Sequence, residues 1–400
     1  MSPINVLWAI DHVCYDGSLH GGGRLYWNVL PKFDSQRVCV TPCFLRATDT
    51  IREVFEESPV PVRILDKRKF DLTTLWTFLK LIKRERIQVM HLHCYGASTF
   101  GRLAGLCTGV PTIIHDYDTE VYFPYPSYLW LTDRVLAPTT KHAIAASPMV
   151  KRFLIEKRKI DARKISMMFH GNPPESFAAV SSARVASVKE GLGIGEGTKV
   201  VGTVTKLGPQ RGNDVLLEAA ARILKTCSDV VFLVIYKATL YHRRPSRRYV
   251  KATQEGESQL EDLEAQTKRL GIEDNVRFVE RPESVGELVS ACDLIVAPFL
   301  SERFSSVSLL EAMARGKPLI ATDLGEQREM IRQGVNGYLV PPGDVGELAS
   351  RVLELLTRPA ERKRMGRQAL ATAREYSADA HARRLERLYE ELAMNGRINS

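Results

Sequence analysis

Apolar residues in this chain fall into short, nearly unbroken runs, and the stretches between them have helical period. In the first half the runs are 4–10 (INVLWAI), 37–43 (RVCVTPC), 60–66 (VPVRILD), 88–93 (QVMHLH), 112–116 (TIIHD), 143–147 (AIAAS) and 165–171 (ISMMFHG). They are rich in Val and Ile and mostly uninterrupted by charge, which is how strands buried on both faces read. Helical stretches between them point to right-handed crossovers and a parallel sheet. Residues 172–199 break the rhythm, opening on Asn172-Pro173-Pro174 and closing on GLGIGEGTK, which is linker chemistry. The theme restarts with VVGTVT at 200–205 and the helical stretch NDVLLEAAARILKT. Further strands are expected at 229–236, 275–281, 294–299 and 319–323, with a helix at 306–316. The pattern predicts an α/β chain of two Rossmann-like domains with parallel sheets, 1–171 and 200–375, joined by the linker 172–199. In the last stretch, 376–400, Leu385, Leu388, Tyr389 and Leu392 form an apolar stripe at helical spacing, expected to pack back on the N-terminal domain. Two facing sheets would place a ligand in the interdomain cleft, outside the carboxyl ends of the strands.

Composition narrows the class. With 400 residues the chain has room for two domains, and 44% hydrophobic with 26% charged residues is ordinary globular composition. No run of about 18 apolar residues suggests a transmembrane helix. The start, MSPINVLWAI, lacks a basic region and reads as a first strand rather than a signal peptide. Seven cysteines, at 14, 39, 43, 94, 107, 227 and 292, form no CxxC pair, which argues against a zinc knuckle or dithiol centre and fits a reducing cytoplasm. The net charge of +9 is concentrated in two clusters: Lys151, Arg152, Lys157, Arg158, Lys159, Arg163 and Lys164, and then Arg243, Arg244, Arg247, Arg248 and Lys251. Such clusters can be plain solvated helix faces, or can face nucleic acid, anionic lipid or an anionic substrate. No RNP, zinc-finger or helix-turn-helix signature supports nucleic acid. Peripheral contact of 151–164 with an anionic membrane, at its inner face, stays as an expectation.

Candidate chemistry lies at strand ends. Gly21-Gly22-Gly23 precede a helical run, where a close backbone and helix-start N–H groups can receive a phosphate or hydroxyl, or where glycines merely loosen a loop. The spacing is not GxGxxG, which argues against a dehydrogenase. His115 and Asp116 close the run TIIHD; a histidine there can bond a sugar hydroxyl or assist proton transfer, or be a satisfied loop residue. Lys206 and Arg211 lie on a strand–loop–helix turn, where two cations can grip a diphosphate or simply decorate a helix start. The densest group is SERFSSVSLLEAMARGKPLIATD. It holds Glu302 in a loop, Ser305 and Ser306 near a helix start, and Glu311 on the helix. The Glu311 carboxylate can accept both hydroxyls of a ribose, or can close a capping box with Ser308.

In these residues the chain resembles the retaining glycosyltransferases of family 4, the group 1 glycosyltransferases of GT-B fold. GGGRLYWNVL looks like the family's glycine-rich first loop, TIIHD like its strand with a terminal His-Asp, and AIAASPMVKRFL and FHGNP like its strand–Ser–helix and "NG" turn. VVGTVTKLGPQRGNDVLLEAAARI resembles the segment G-R-L-x-x-x-K-G-x-D-x-L-x-x-A, and GIEDNVRFVERPESVGELVSACDLIVAPF the base-side strand and helix. LLEAMARGKPLIATDLGEQREMIRQGVNGYLVPPGD is the nearest match. The resemblance implies a nucleoside-diphosphate hexose donor (UDP or GDP) and a polysaccharide, lipid-linked or small-molecule acceptor. It implies transfer with retention, with no cofactor and no bound metal. Glu311 would bind the ribose; Lys206 and Arg211 the diphosphate, helped by Gly22 or Gly23 and the amides of Ser305 and Ser306. His115, beside Asp116, would touch the sugar, as Glu302 would if it stands for the family's first glutamate. Three departures accompany the match. Lys206 and Arg211 reverse the family's Arg-then-Lys order. The family's spacing puts its first glutamate on Arg303, one residue from Glu302. The usual glycine after the second strand of the second domain is replaced by VVFLVIYKATLYHRRPSRRY. A sugar-nucleotide epimerase of the same architecture and a catalytically degenerate nucleotide-sugar binder remain as other readings.

Overall fold

The computed structural model describes residues 2–13, 21–47, 49–56, 58, 60–68, 70–117, 127–169, 171–208, 210–237, 240–243, 249–282, 285–302 and 307–398. The chain divides into two compact units, Met1–Pro173 with Tyr376–Ser400, and Pro174–Glu375.

The first unit is built on seven parallel strands: β1 (Ile4–Ile10), β2 (Val38–Phe44), β3 (Arg63–Ile64), β4 (Val89–His93), β5 (Thr112–Asp116), β6 (Thr140–Ala145) and β7 (Ile165–Met167), in the order β3-β2-β1-β4-β5-β6-β7. β1 shows why such runs carry no polar alternation. Val6, Trp8 and Ile10 face one core, with Tyr26 and Phe44, while Leu7 and Ala9 face the other, with Phe78 and Phe100. Both faces are covered, so both must be apolar. The first core is completed from the far end of the chain: Ala378, Ala382, Leu385, Leu388 and Tyr389 of the helix Ala378–Ile398 join it. The chain leaves and re-enters this unit side by side, with the Asn172 amide donating to the Tyr376 carbonyl and the Ala378 amide to the Asn172 carbonyl, each at 2.8 Å. Gly171 permits the crossing, since a Cβ there would lie 2.9 Å from the Ala378 Cα.

The second unit holds β8 (Lys199–Lys206), β9 (Val230–Lys237), β10 (Leu240–Arg243), β11 (Tyr249–Ala252), β12 (Val276–Glu280), β13 (Leu294–Ala297), β14 (Leu319–Thr322) and β15 (Gly337–Val340). Six form a parallel sheet, ordered β12-β9-β8-β13-β14-β15, and β10 pairs antiparallel with β11 as a separate ribbon. In both sheets the order steps outward from the first strand and then returns to its other side, putting a topological switch point between β1 and β4 and between β8 and β13. Ligands of open α/β sheets bind beside the carboxyl ends at such points.

Two local readings change. The stretch 172–199, read as linker, contains the helix Ser182–Gly191, and its residues from Pro174 belong to the second unit. The Ser181 hydroxyl caps that helix by accepting the Arg184 amide, and Arg184 pairs with Glu287 at 2.8 Å. The run 60–66 yields only the two-residue edge strand β3.

Candidate active site

The switch point of the second unit and the loops and helix beside it carry Lys206, Arg211, Glu302 and Glu311 of the expected site. β8 is buried along its interior and ends on exposed Lys206. The turn that follows is tied to the loop after the neighbouring strand β13, because the Leu300 amide donates to the Gln210 carbonyl at 2.9 Å. Gly212 starts the helix Asn213–Leu224 at φ 69°, and a Cβ there would sit 1.8 Å from the Pro298 carbonyl oxygen, so only glycine lets the two loops close on each other. The Arg211 guanidinium rests 5.4 Å above the ring of buried Phe299, a cation–π seat that holds the charge at this edge of the sheet. Glu302 lies in the loop after β13 with its Cβ against Gly325 of the loop after β14. Ser305 and Ser306 fall outside the described residues.

Glu311 sits on the helix Val307–Ala314, whose Leu309, Leu310, Ala312, Met313 and Ala314 are buried. Ser308 lies inside this helix rather than ahead of it, so the pair does not form a capping box. The half-buried Glu311 carboxylate faces Arg281, Nη2 to Oε2 at 3.3 Å. Arg281 directly follows β12 and was not among the sequence candidates; its signal was a cation at the carboxyl end of a strand.

The first unit's switch point is different. The Asp11 carboxylate, just past β1, accepts the amides of Gly96 (2.9 Å) and Ala97 (2.6 Å) in the first turn of the helix Cys94–Thr108. The donors that would attract a phosphate at that helix start are satisfied by the protein's own carboxylate. The glycine triplet forms the first turn of the helix Gly21–Val29, so Gly22 and Gly23 are helical rather than part of a preceding loop.

His115 belongs to a buried stack. His91 and His93 lie two apart on β4 and so share a face; His115 pairs with His93 across β5. His91 Nδ1 lies 2.6 Å from the Tyr389 hydroxyl and His91 Nε2 lies 3.2 Å from His115 Nδ1. The Tyr117 hydroxyl is 2.8 Å from His93 Nδ1 and 3.3 Å from His115 Nδ1. Trp8 stacks on His91 with centroids 5.1 Å apart. Burial holds the His91 imidazole well below its usual pKa, with the nearby His381 and His142 adding to this, so the ring is neutral. Donor atoms of His91, His93 and His115 lie within 4.8 Å of one another, close enough for a metal. However, the His91 and His93 rings stack with centroids 4.4 Å apart and turn faces rather than lone pairs toward each other. His115 is fully buried, not presented at an open strand end as its position suggested.

Asp116, expected at the substrate, is instead part of a buried ion network. One oxygen accepts from Arg158 Nη1 at 2.6 Å, and Arg158 also grips Asp133, which is shared with Arg102. This also divides the basic cluster 151–164. Arg158 points inward and is fully buried, Arg163 pairs with Asp161, and Lys164 donates to the Thr140 carbonyl at 2.9 Å. Of the second cluster, Arg244, Arg247 and Arg248 lie outside the described residues. Among the described residues no helix is long and apolar enough to cross a membrane.

Comparison with known proteins gives this geometry a family. The glycosyl transferases group 1 family matches residues 186–372, in the second unit, and Glycosyltransferase Family 4 matches residues 21–175, which cover the first unit from Gly21 to Pro173. The alpha-D-kanosaminyltransferase of Streptomyces kanamyceticus is 24% identical over 330 residues, 79% of this chain and 80% of that protein. A D-inositol 3-phosphate glycosyltransferase of Corynebacterium jeikeium is 30% identical over 245 residues, 61% of this chain and 55% of its own length. A glycosyltransferase from Rickettsia africae ESF-5 superposes with a TM-score of 0.75 at 16% identity, covering 98% of this chain and 99% of that one. Anabaena Alr3699/HepE in complex with UDP gives 0.74 at 18% identity, covering 97% and 100%. At these identities the structural likeness establishes the fold alone. With both units matched in chain order and with relatives named as glycosyltransferases, the chain belongs to the group 1, family 4 glycosyltransferases and is a glycosyltransferase of GT-B fold.

Proposed function

We propose that this enzyme transfers a hexose from a nucleoside-diphosphate sugar, with UDP the first base to test and GDP the second, to a small-molecule, lipid-linked or glycan acceptor, with retention at the anomeric carbon and without a bound metal. The observation that carries the reading is the unequal chemistry of the two switch points. The first unit fills its helix start with Asp11, whereas the second unit places Lys206 and Arg211 beside β8, with Glu302 and Glu311 on the adjoining loop and helix. A diphosphate needs the cationic end. UDP as donor nucleotide is supported by the UDP bound in the Anabaena neighbour, and a small-molecule acceptor by the relative named for D-inositol 3-phosphate.

In this reading Lys206 and Arg211 neutralise the charge that grows on the diphosphate as the glycosidic bond breaks, which is where fixed cations accelerate the reaction. Glu311 leaves Arg281 and accepts the ribose hydroxyls. Glu302 and His115 contact the transferred sugar. Because His115 is fully covered here, that contact requires the ring to be uncovered as the sugar binds. The test is thermal unfolding with a panel of nucleoside diphosphates and their sugars. One base should stabilise the protein by about 2.7 kcal/mol at a hundredfold excess over Kd, an effect lost in Glu311→Ala. No shift with any nucleotide would sink the proposal. With the donor known, product NMR reads the anomeric configuration, and activity that survives EDTA checks metal independence. Contact of Lys151, Arg152, Lys157 and Lys159 with anionic lipid is tested by vesicle flotation at low salt.

A further inference from the structure

The stack around His115 fixes more than its position. Tyr389 comes from the C-terminal helix and is completely buried; its hydroxyl proton needs an acceptor there, and among the described residues that acceptor is His91 Nδ1 at 2.6 Å. A neutral imidazole carries one proton, on one nitrogen or the other. If Nδ1 accepts from Tyr389, the His91 proton is on Nε2, and that nitrogen faces His115 Nδ1 at 3.2 Å. His115 Nδ1 must then accept, which leaves the His115 proton on Nε2. Tyr117 does not disturb this order, because its proton serves the shorter bond to His93 Nδ1, 2.8 Å against 3.3 Å to His115.

We infer that Tyr389, acting through His91, holds His115 in the tautomer protonated on Nε2, and that both are positioning residues for sugar transfer. The assignment of tautomer stands on the hydrogen bonds alone; its bearing on transfer rests on the sugar contact proposed above for His115. Burial supports the chain of donors from both ends. It drives the Tyr389 phenol well above its ordinary pKa, so the proton to be donated is present, and it keeps His91 neutral. The consequence is chemical. His115 can offer an N–H to a sugar oxygen through Nε2 but cannot take a proton there, so it acts as a hydrogen-bond donor and not as a base. A residue almost at the end of the chain thereby sets the chemistry of a strand end far from it in sequence.

The experiment is two-bond proton–nitrogen NMR of the full chain labelled with 15N-histidine, signals being assigned by His91→Gln and His115→Gln. The wild type should show both imidazoles protonated on Nε2. Tyr389→Phe keeps the ring and its packing but removes the donor, so His91 and His115 should move to a mixture of tautomers. Turnover should then fall at least fivefold, with little change in KM for the donor sugar. A His115 signal protonated on Nδ1 in the wild type, or one unmoved by Tyr389→Phe, overturns the inference. So would stoichiometric Zn2+ shifting His91, His93 and His115 together, which would make the stack a cation site. If Tyr389→Phe fails to fold, the wild-type spectrum still decides. If the tautomers respond while turnover does not, the hydrogen-bond chain stands and the sugar contact of His115 fails.

Discussion

A charged residue behaves according to its surroundings, and a buried and an exposed ionic contact in this enzyme mark the range. Asp133 is shared by Arg102 and Arg158, all three with side chains at most 3% exposed. Removing Asp133 leaves two guanidinium groups in the interior, with Asp116 the remaining carboxylate that Arg158 meets among the described residues. Asp133→Asn should therefore cost about 3–5 kcal/mol by urea unfolding. Arg184–Glu287, at the surface, is of similar length, yet Arg184→Ala should cost under about 1 kcal/mol. The same contrast governs the thiols. Burial pushes Cys43 and Cys292 up to about 12, while Cys39 and Cys107 are exposed. At pH 8 a disulfide reagent should label the exposed pair in the native protein and reach the buried pair only after denaturation. Histidine gives the pH dependence. His91 in the folded chain titrates below its unfolded value of about 6.5, so the unfolded chain binds the extra proton. Stability from this group is therefore present above pH 6.5 and falls as the pH drops below it, by up to about 1.4 kcal/mol per pH unit. A pH series of melting curves, with a shallower slope in His91→Gln, checks the sign.

At the scale of elements, Gly212 joins the turn after β8 to the loop after β13. Gly212→Ala meets both a left-handed φ and the Pro298 carbonyl, so the turn that carries Arg211 must move. The expected result is a loss of about 1–3 kcal/mol in stability, together with weaker UDP binding by calorimetry. Unchanged binding would separate Arg211 from the diphosphate. This turn was legible because its chemistry is local: a strand end, a glycine and a helix start in consecutive residues. β1, β4 and β5 were legible for a related reason, since burial on both faces leaves no polar position to confuse the pattern. The ribbon β10–β11 was missed because LYHR and YVKA carry no alternation that separates them from loop. The Ser182–Gly191 helix was hidden in a stretch rich in glycine, with no buried face to give it a period. The histidine stack shows the hardest case. QVMHLH read as one more buried strand and Tyr389 as one more apolar stripe residue, because the contact that joins them links positions 298 residues apart.

For the molecule as a whole, what matters is that the chain closes its first unit last. Leu385 and Tyr389 complete a core begun by Trp8 and Tyr26, and among the described residues none between Pro174 and Glu375 contributes to that core. The second unit has its own core, from Val201 and Leu216 to Met365. Each unit therefore owns a separate set of buried residues, and two separately perturbable transitions are expected rather than one all-or-none event. The nucleotide, if it binds through Lys206, Arg211 and Glu311, contacts residues of the second unit. Leu385→Ala opens a cavity only in the first, at a cost of about 2–5 kcal/mol. In scanning calorimetry UDP should raise one transition and leave the other, while Leu385→Ala should lower the transition that UDP leaves alone. If both perturbations move the same transition, the units unfold as one body, and the nucleotide's effect cannot be assigned to the second unit by its core alone.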